Sequence, residues 1–141
     1  MGAIPQVRKT GPKSYPCVQA TTGGQLVEGR ATSGGGVGPA AAGSAKVLGV
    51  ALNDAVTTLI TDPVNGVLDT APAGTRVNVG KGVEVPVTYA AAAALGDKLI
   101  AAANGQVTPA GATPDARTIV GECTELAGVS AGGTVAKAWI Y

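Results

Sequence analysis

The sequence predicts one small all-β domain, either a barrel or a sandwich, with an extended N-terminal arm and at most one short helix. Its 141 residues suit a single domain. Valine alternates with other residues along 76–88, which is the period of a strand with one buried face. Asn-Gly dipeptides at 65–66 and 104–105 are of the kind that closes tight two-residue hairpins.

The core of this domain should be thin. Hydrophobic residues make up 45% of the chain, but alanine supplies much of that fraction, and there is no Phe, one Trp and three Tyr. Aromatic side chains normally bury the largest areas, and each of the 22 glycines loses much backbone entropy on folding. We therefore expect part of the stability to come from assembly with other protein surfaces.

Residues 1–25 predict an extended arm that precedes a single β domain over 26–141. Three prolines, at positions 5, 12 and 16, fix φ and remove hydrogen-bond donors, so the arm should lack regular structure of its own unless a neighbouring surface orders it. Arg8, Lys9 and Lys13 all precede the first acidic residue, Glu28. This basic charge either solvates the arm or docks it on a partner.

The elements of the β domain follow in order. The segment 31–43, ATSGGGVGPAAAG, predicts a flexible loop and lacks the ending of a phosphate-binding loop. Short strands are predicted at 47–52 and 57–61. In the alternating segment the valines at 77, 79, 83, 85 and 87 should share one face. Lys81 between two glycines predicts a bulge or turn, and Pro86 predicts a sheet edge. Only 89–95, with five consecutive alanines, predicts a short helix.

The sequence also contains a weak internal repeat. VLGVALNDA at 47–55 resembles IVGECTELA at 119–127, and each segment is followed by an Ala-Gly pair and a strand that contains valine. This arrangement predicts two related β units within one barrel or sandwich.

The residues that usually carry out catalysis are missing or poorly placed. Histidine is absent, which removes the commonest general base and metal ligand. Cys17 and Cys123 lack a neighbouring basic cluster, and we expect both to be free thiols. Glu122 and Glu125 should point to opposite faces of a strand. The side chains of Asn53-Asp54 and Asp62 are typical of turns rather than of a calcium loop. We therefore expect no enzyme activity, no catalytic residue, no metal and no cofactor.

Charge and hydropathy restrict the partners. Ten basic residues against nine acidic ones give no field that would hold nucleic acid or an anionic bilayer. The sequence has neither a long apolar run nor the apolar core of a signal peptide, so we expect synthesis in a cytosol.

Three segments carry a resemblance to a known family. VLGVALNDA, AALGDKLIAAANGQVTPAG and RTIVGECTELAGVSAGGTVAKAWIY resemble the "G-V-A-L" strand, "G-D-x-L" turn and closing hairpin of capsid decoration proteins, the cement or head-stabilising proteins of tailed bacteriophages. The resemblance covers 46–141. It implies a β-barrel or β-tulip-like domain, commonly a homotrimer, that clamps neighbouring major capsid subunits on the outside of the expanded head. It also implies an N-terminal arm that reaches over the capsid lattice.

These observations give the expected function: a structural virion protein, assembled in the host bacterial cytoplasm, that binds the outer capsid surface and itself. The arm should supply the capsid contacts, and the predicted contact residues are Ile4, Val7, Arg8, Lys9, Lys13 and Tyr15. Trp139 either fills the core or anchors a subunit interface, to which Tyr141 also belongs. The alternatives are a β module of a head or tail fibre, a secreted adhesin with a Cys17–Cys123 disulfide, and a ligand-binding barrel or hydrolase. The last is disfavoured by the absence of His and the sparse aromatic residues.

Overall fold

The computed structural model describes residues 11–31, 35–55 and 76–141. The fold is all-β, as predicted, and consists of two five-stranded antiparallel sheets without a closed barrel. The first sheet contains β1 (Lys13–Pro16), β2 (Leu26–Gly29), β3 (Val37–Pro39), β4 (Val47–Ala51) and β5 (Arg76–Gly80). The second contains β6 (Val83–Thr88), β7 (Lys98–Ala101), β8 (Val107–Pro109), β9 (Ile119–Cys123) and β10 (Val135–Ile140). Two 3₁₀ turns, Ala103–Gly105 and Ala116–Thr118, complete the described elements.

The two sheets are copies of one topology. Strand order is β1-β5-β4-β2-β3 in the first sheet and β6-β10-β9-β7-β8 in the second. Each strand of the first sheet therefore has an equivalent five strands later, and we call the two units repeat 1 (residues 11–80) and repeat 2 (residues 83–141). The internal similarity between 47–55 and 119–127 falls on β4 and β9, which are equivalent strands, so the predicted pair of related β units is confirmed.

Hydrogen bonds outside the strands repeat in the same way. Gly24 N donates to Ala51 O at 2.8 Å, and Gly96 N donates to Cys123 O at 2.8 Å. In both repeats the first of these residues is a glycine with φ near +88°, a conformation that other residues rarely adopt. The equivalent residues of the two repeats, Gly24 with Gly96 and Ala51 with Cys123, are 72 residues apart in the sequence. Short parallel bridges are equivalent too, joining Cys17 to Val37 in repeat 1 and Tyr89 to Val107 in repeat 2. Each bridge connects the end of the first strand of a repeat to its third strand.

The repeats fill equivalent core positions with side chains of different size. Cys17 is buried in repeat 1, and Tyr89 is fully buried at the matching position of repeat 2. Val79 lies opposite Ala51 in repeat 1, whereas Ala138 lies opposite Cys123 in repeat 2. Interiors pack to near-constant density. The larger tyrosine ring of repeat 2 is accompanied by a smaller residue, Ala138, at the position that Val79 occupies in repeat 1.

The phenol of Tyr89 is buried and hydrogen-bonded through its hydroxyl. Its hydroxyl donates a hydrogen bond to the Lys137 carbonyl oxygen at 2.9 Å. Burial raises the pKa of Tyr89 well above its usual value, so the hydroxyl stays neutral and keeps its proton for this bond.

The repeats also pack against each other. Leu26 and Val50 lie on the face of the first sheet turned toward repeat 2, and they belong to the same apolar cluster as Val83 and Ile140. Backbone bonds cross the junction: Gly105 N donates to Ala40 O at 2.9 Å, and Gly43 N donates to Ala101 O at 2.8 Å. The close approach needs glycine, because a Cβ at position 105 would lie 2.5 Å from the Leu26 carbonyl oxygen.

Two predictions about 76–88 hold, and one is wrong. The chain turns at Lys81, as predicted, and β6, which carries Pro86, is an edge strand of the second sheet. The five valines do not share one face, because the turn at Lys81 carries the chain from one sheet to the other. Val77 and Val79 are buried in the core of repeat 1, whereas the valines of β6 pack in the other cluster.

Three further expectations need correction. Residues 13–25, assigned to the extended arm, contribute β1 and the buried Cys17 to the first sheet. Segment 31–43, expected to be a loop, contains the buried strand β3. The alanine run at 89–95 forms no helix, because bridges from Tyr89 to β8 and from Ala93 to Val129 override the local propensity. Residues 57–61 and the Asn65-Gly66 pair lie outside the described residues.

The second Asn-Gly pair adopts the positive φ that was predicted, but it does not close a two-residue hairpin. Asn104 and Gly105 have φ of 56° and 69° and lie in the 3₁₀ turn Ala103–Gly105, within the longer connection 102–106 between β7 and β8. The side chains of Asn53 and Asp54 were predicted to bond nearby backbone in turns, but they accept from distant segments instead: Asp54 Oδ1 accepts from Gly23 N and Asn53 Oδ1 from Asn78 N, both at 2.7 Å. Asp62 lies outside the described residues.

Candidate functional site

The predicted capsid-contact residues divide into two sets. Lys13 and Tyr15 lie on β1, an edge strand of the first sheet. The Lys13 ammonium sits 5.0 Å from the centre of the Tyr15 ring, which is a favourable cation–π distance. Ile4, Val7, Arg8 and Lys9 lie outside the described residues. Of the six predicted residues, the structure therefore brings together Lys13 and Tyr15.

Lys81, at the turn between the repeats, joins three open clefts. One, of about 220 Å³, is lined by Lys13, Tyr15, Leu48, Val79, Lys81 and Gly11. The second, of about 440 Å³, extends from Gly11 to Val83 past Leu52. The third, of about 250 Å³, lies between β4 and the second sheet and contains Arg117 and Tyr141. We call these the crossover clefts, since they surround the turn that carries the chain from repeat 1 to repeat 2.

The crossover clefts have cationic and apolar linings. Among the described residues, the charged side chains that line them are Lys13, Lys81 and Arg117, and no Asp or Glu is among these lining residues. Arg117 is paired with Asp115, whose carboxylate oxygen lies 2.6 Å from the guanidinium. This pairing holds the pKa of Asp115 below its usual value. Lys13 and Lys81 form no ion pair with any residue that the structure describes, so their charges are left for another partner.

The outer face of the second sheet carries the predicted interface residues. Trp139 lies in register between Glu84 of β6 and Glu122 of β9. Lys98 binds Glu122, with 2.7 Å between Nζ and Oε2, and it also donates to the Tyr141 hydroxyl. The bond to Glu122, and to a smaller extent the bond to Tyr141, raises the pKa of Lys98 to about 12. The same bond from Lys98 lowers the pKa of Glu122. The network fixes one side of an exposed, mixed polar and aromatic surface.

Trp139 is not a core residue. Its side chain is 40% exposed and that of Tyr141 is 46% exposed, so the core alternative for Trp139 is wrong and both side chains are accessible for a subunit contact. Strand β10 alternates between exposed and buried positions, and Trp139 lies on the exposed side. The equivalent face of repeat 1, with Leu26 and Val50, is covered by repeat 2.

A third surface was missed by the sequence analysis. Leu126 is 85% exposed and Leu95 is 56% exposed, in two loops of repeat 2 that are joined by the Ala93–Val129 bridge. At the same end of repeat 1 the position equivalent to Leu95 is Gly23, whose N–H donates to Asp54. This end is therefore polar and internally hydrogen-bonded in repeat 1, whereas the equivalent end of repeat 2 is apolar. Aligning the two repeats would have given this signal, because Leu95 precedes Gly96 as Gly23 precedes Gly24.

Both cysteines are free, as predicted; both are buried, and they lie in different repeats. Glu122 and Glu125 have separate partners: Glu122 binds Lys98, and Glu125 accepts a hydrogen bond from the Lys137 N–H.

Across the described ranges there is no cluster of three or more His, Cys, Asp or Glu side chains placed to bind a metal ion. Nor does this part of the chain contain a helix long and apolar enough to span a bilayer.

Comparisons with known proteins give one result for the fold. No family model matches the sequence, and no curated protein matches it. Among solved structures, the chain is similar to the N base of head fiber gp8.5 in bacteriophage phi29, with a TM-score of 0.62 and 18% sequence identity. The match covers 94% of this chain and 95% of that chain. The protein therefore has the fold of the phage head fiber base over nearly its whole length.

Proposed function

We propose that this protein is a structural component of a tailed-phage virion that binds the outside of the head and stabilises contacts between major capsid subunits. The observation that carries the proposal is the shared fold with a head fiber base, because the likeness extends over almost all of both chains. The resemblance of 46–141 to capsid decoration proteins supports the same location.

The exposed surfaces are consistent with a protein that works through contacts. Exposed apolar groups such as Leu95, Leu126 and Trp139 are the residue types that supply energy at protein interfaces. Lys13 and Tyr15 offer a cationic and aromatic contact on an edge strand. We assign Lys13 and Tyr15, together with the preceding basic segment, to the capsid contact.

Self-association is the second part of the proposal. We assign the outer face of the second sheet, with Trp139 and Tyr141, to the subunit interface of a homotrimer. A trimer that engages three capsid sites at once gains avidity beyond that of a single weak contact.

The test uses purified virions from the phage that encodes the chain. Mass spectrometry should detect the protein in gradient-purified particles, and cryo-electron microscopy should place its density outside the shell. Heads stripped of the protein should rupture at lower temperature and recover when purified protein is added back. Absence of the protein from purified particles would refute the proposal.

A head fibre base is the second candidate function, and the fold match to such a base favours it. The two candidates differ in what the bound protein carries. A decoration protein ends at the head surface, whereas a fibre base has a further fibrous segment or partner above it. Density that continues outward from the bound domain would select the fibre base, and a bare domain would select the decoration protein.

A further inference from the structure

We infer that the crossover clefts bind an acidic protein segment in which carboxylates alternate with apolar side chains. The inference deepens the proposed function by naming the chemistry of the partner. It rests on that function only for the partner's identity, since the binding itself follows from the clefts.

The first argument is charge complementarity. Lys13 and Lys81 line one cleft together, and Lys81 also lines the two others. Within the part of the chain that the structure describes, neither lysine is paired and no carboxylate side chain lines the clefts. Glu84 is close in sequence, but strand alternation directs it away from Val83, to the face of Trp139. A carboxylate entering from outside therefore meets two uncompensated cations.

The second argument concerns the apolar part of the lining. Tyr15, Leu48 and Val79 form the wall beside the two lysines, and Leu52 and Val83 line the neighbouring cleft. A ligand that fits must therefore present apolar groups between its charges. This feature favours a peptide over nucleic acid, whose continuous phosphate charge calls for a longer basic surface than one carried by a protein of net charge +1.

The test titrates the full-length ¹⁵N-labelled protein with the peptide Ac-Glu-Leu-Glu-Leu-Glu-Leu-NH₂ at low salt. Amide shifts should concentrate at Lys13, Tyr15, Leu48 and Lys81. The variant with Lys13→Gln and Lys81→Gln should bind at least about fivefold more weakly, since an exposed ion pair contributes roughly two- to fivefold. The variant with both lysines changed to Arg should bind normally. Lys137→Gln, an exposed lysine on the outer face of the second sheet, is the matched control and should leave binding unchanged.

Three results would overturn the inference: equal affinity for the peptide with Gln in place of Glu, unchanged affinity of the double Gln variant, or shifts centred on another surface. Tighter binding of a single-stranded oligonucleotide to the same clefts would assign them to nucleic acid instead. Cosedimentation with stripped heads separates the two proposals. If the protein binds the peptide but not heads, the virion role fails and the cleft assignment stands. If it binds heads equally well with and without the two lysines, the clefts are not the capsid contact.

Discussion

Replacing Tyr89 tests whether the two repeats depend on different core anchors. Tyr89→Ala removes the largest fully buried side chain. Cys17→Ala changes the equivalent position of repeat 1, where a much smaller group is buried. Because the buried side chain is much larger in repeat 2 than in repeat 1, the two substitutions should differ greatly in cost although the positions are equivalent in the fold.

The size of the effect follows from buried area. A tyrosine side chain buries about 150–250 Å², and at about 25 cal/mol per Å² this amounts to roughly 4–6 kcal/mol. Tyr89→Ala should therefore lower the free energy of unfolding by about 4 kcal/mol or more, a large share of the roughly 5–15 kcal/mol typical of a domain. Cys17→Ala should cost about 1 kcal/mol. Tyr89→Phe removes only the hydroxyl, and the Lys137 carbonyl still accepts from the Thr124 N–H, so it should cost about 0.5–1.5 kcal/mol.

Urea denaturation followed by far-UV circular dichroism and by the fluorescence of Trp139 would measure these differences. The slope with urea should stay constant among the variants, so that a shift in midpoint reports stability. Equal losses from Tyr89→Ala and Cys17→Ala would refute the idea that repeat 2 depends on its tyrosine. A Tyr89→Phe variant as stable as the original protein would show that the hydroxyl bond contributes nothing.

Three other predictions follow from single sites. Gly121→Ala should destabilise the fold by several kcal/mol in thermal unfolding, because the new Cβ would lie 2.1 Å from a neighbouring backbone oxygen, whereas Gly111→Ala, with nothing within 4 Å, should be neutral. Asn104→Gly should preserve stability and Asn104→Ala lower it by about 1 kcal/mol, since the turn requires positive φ; equal stability of the two would contradict this. The pKa of Glu122, followed by carbon NMR, should lie below 4.5 and rise in Lys98→Gln. Because that pKa is depressed by folding, the contribution of the ion pair is present at neutral pH and is lost as pH falls through it; a midpoint that does not change in the variant would show that the pair is not formed.

The sequence predicted those features that depend on local chemistry. The positive φ of Asn104 and Gly105, the edge position of Pro86 and the turn at Lys81 each follow from backbone preferences of one or two residues. The pair of repeats was visible because β4 and β9 each begin with two apolar residues followed by a glycine. In each case the physical cause lies within a few residues of the signal.

Features that depend on distant partners were not predictable in the same way. The valines on either side of Lys81 have one continuous period, so nothing local shows that they belong to different sheets. The alanine run has helical propensity, but its bridges to β8 and to Val129 hold it extended. Trp139 is apolar enough for a core, and only the register of β10 directs it outward. The exposed Leu95 is recognised as a candidate contact residue only when it is compared with the equivalent Gly23 of repeat 1.

The strand order has a consequence for synthesis. In each repeat the strand made last is inserted between the one made first and the one made just before it, as β5 enters between β1 and β4 and β10 between β6 and β9. Neither sheet can be completed by adding strands outward from a finished hairpin. A ribosome-bound chain that ends before residue 135 would expose two unpaired inner edges in repeat 2, a state prone to pairing with other chains. Because the central strand β10 is inserted last, chaperone binding matters most before β10 has emerged from the ribosome.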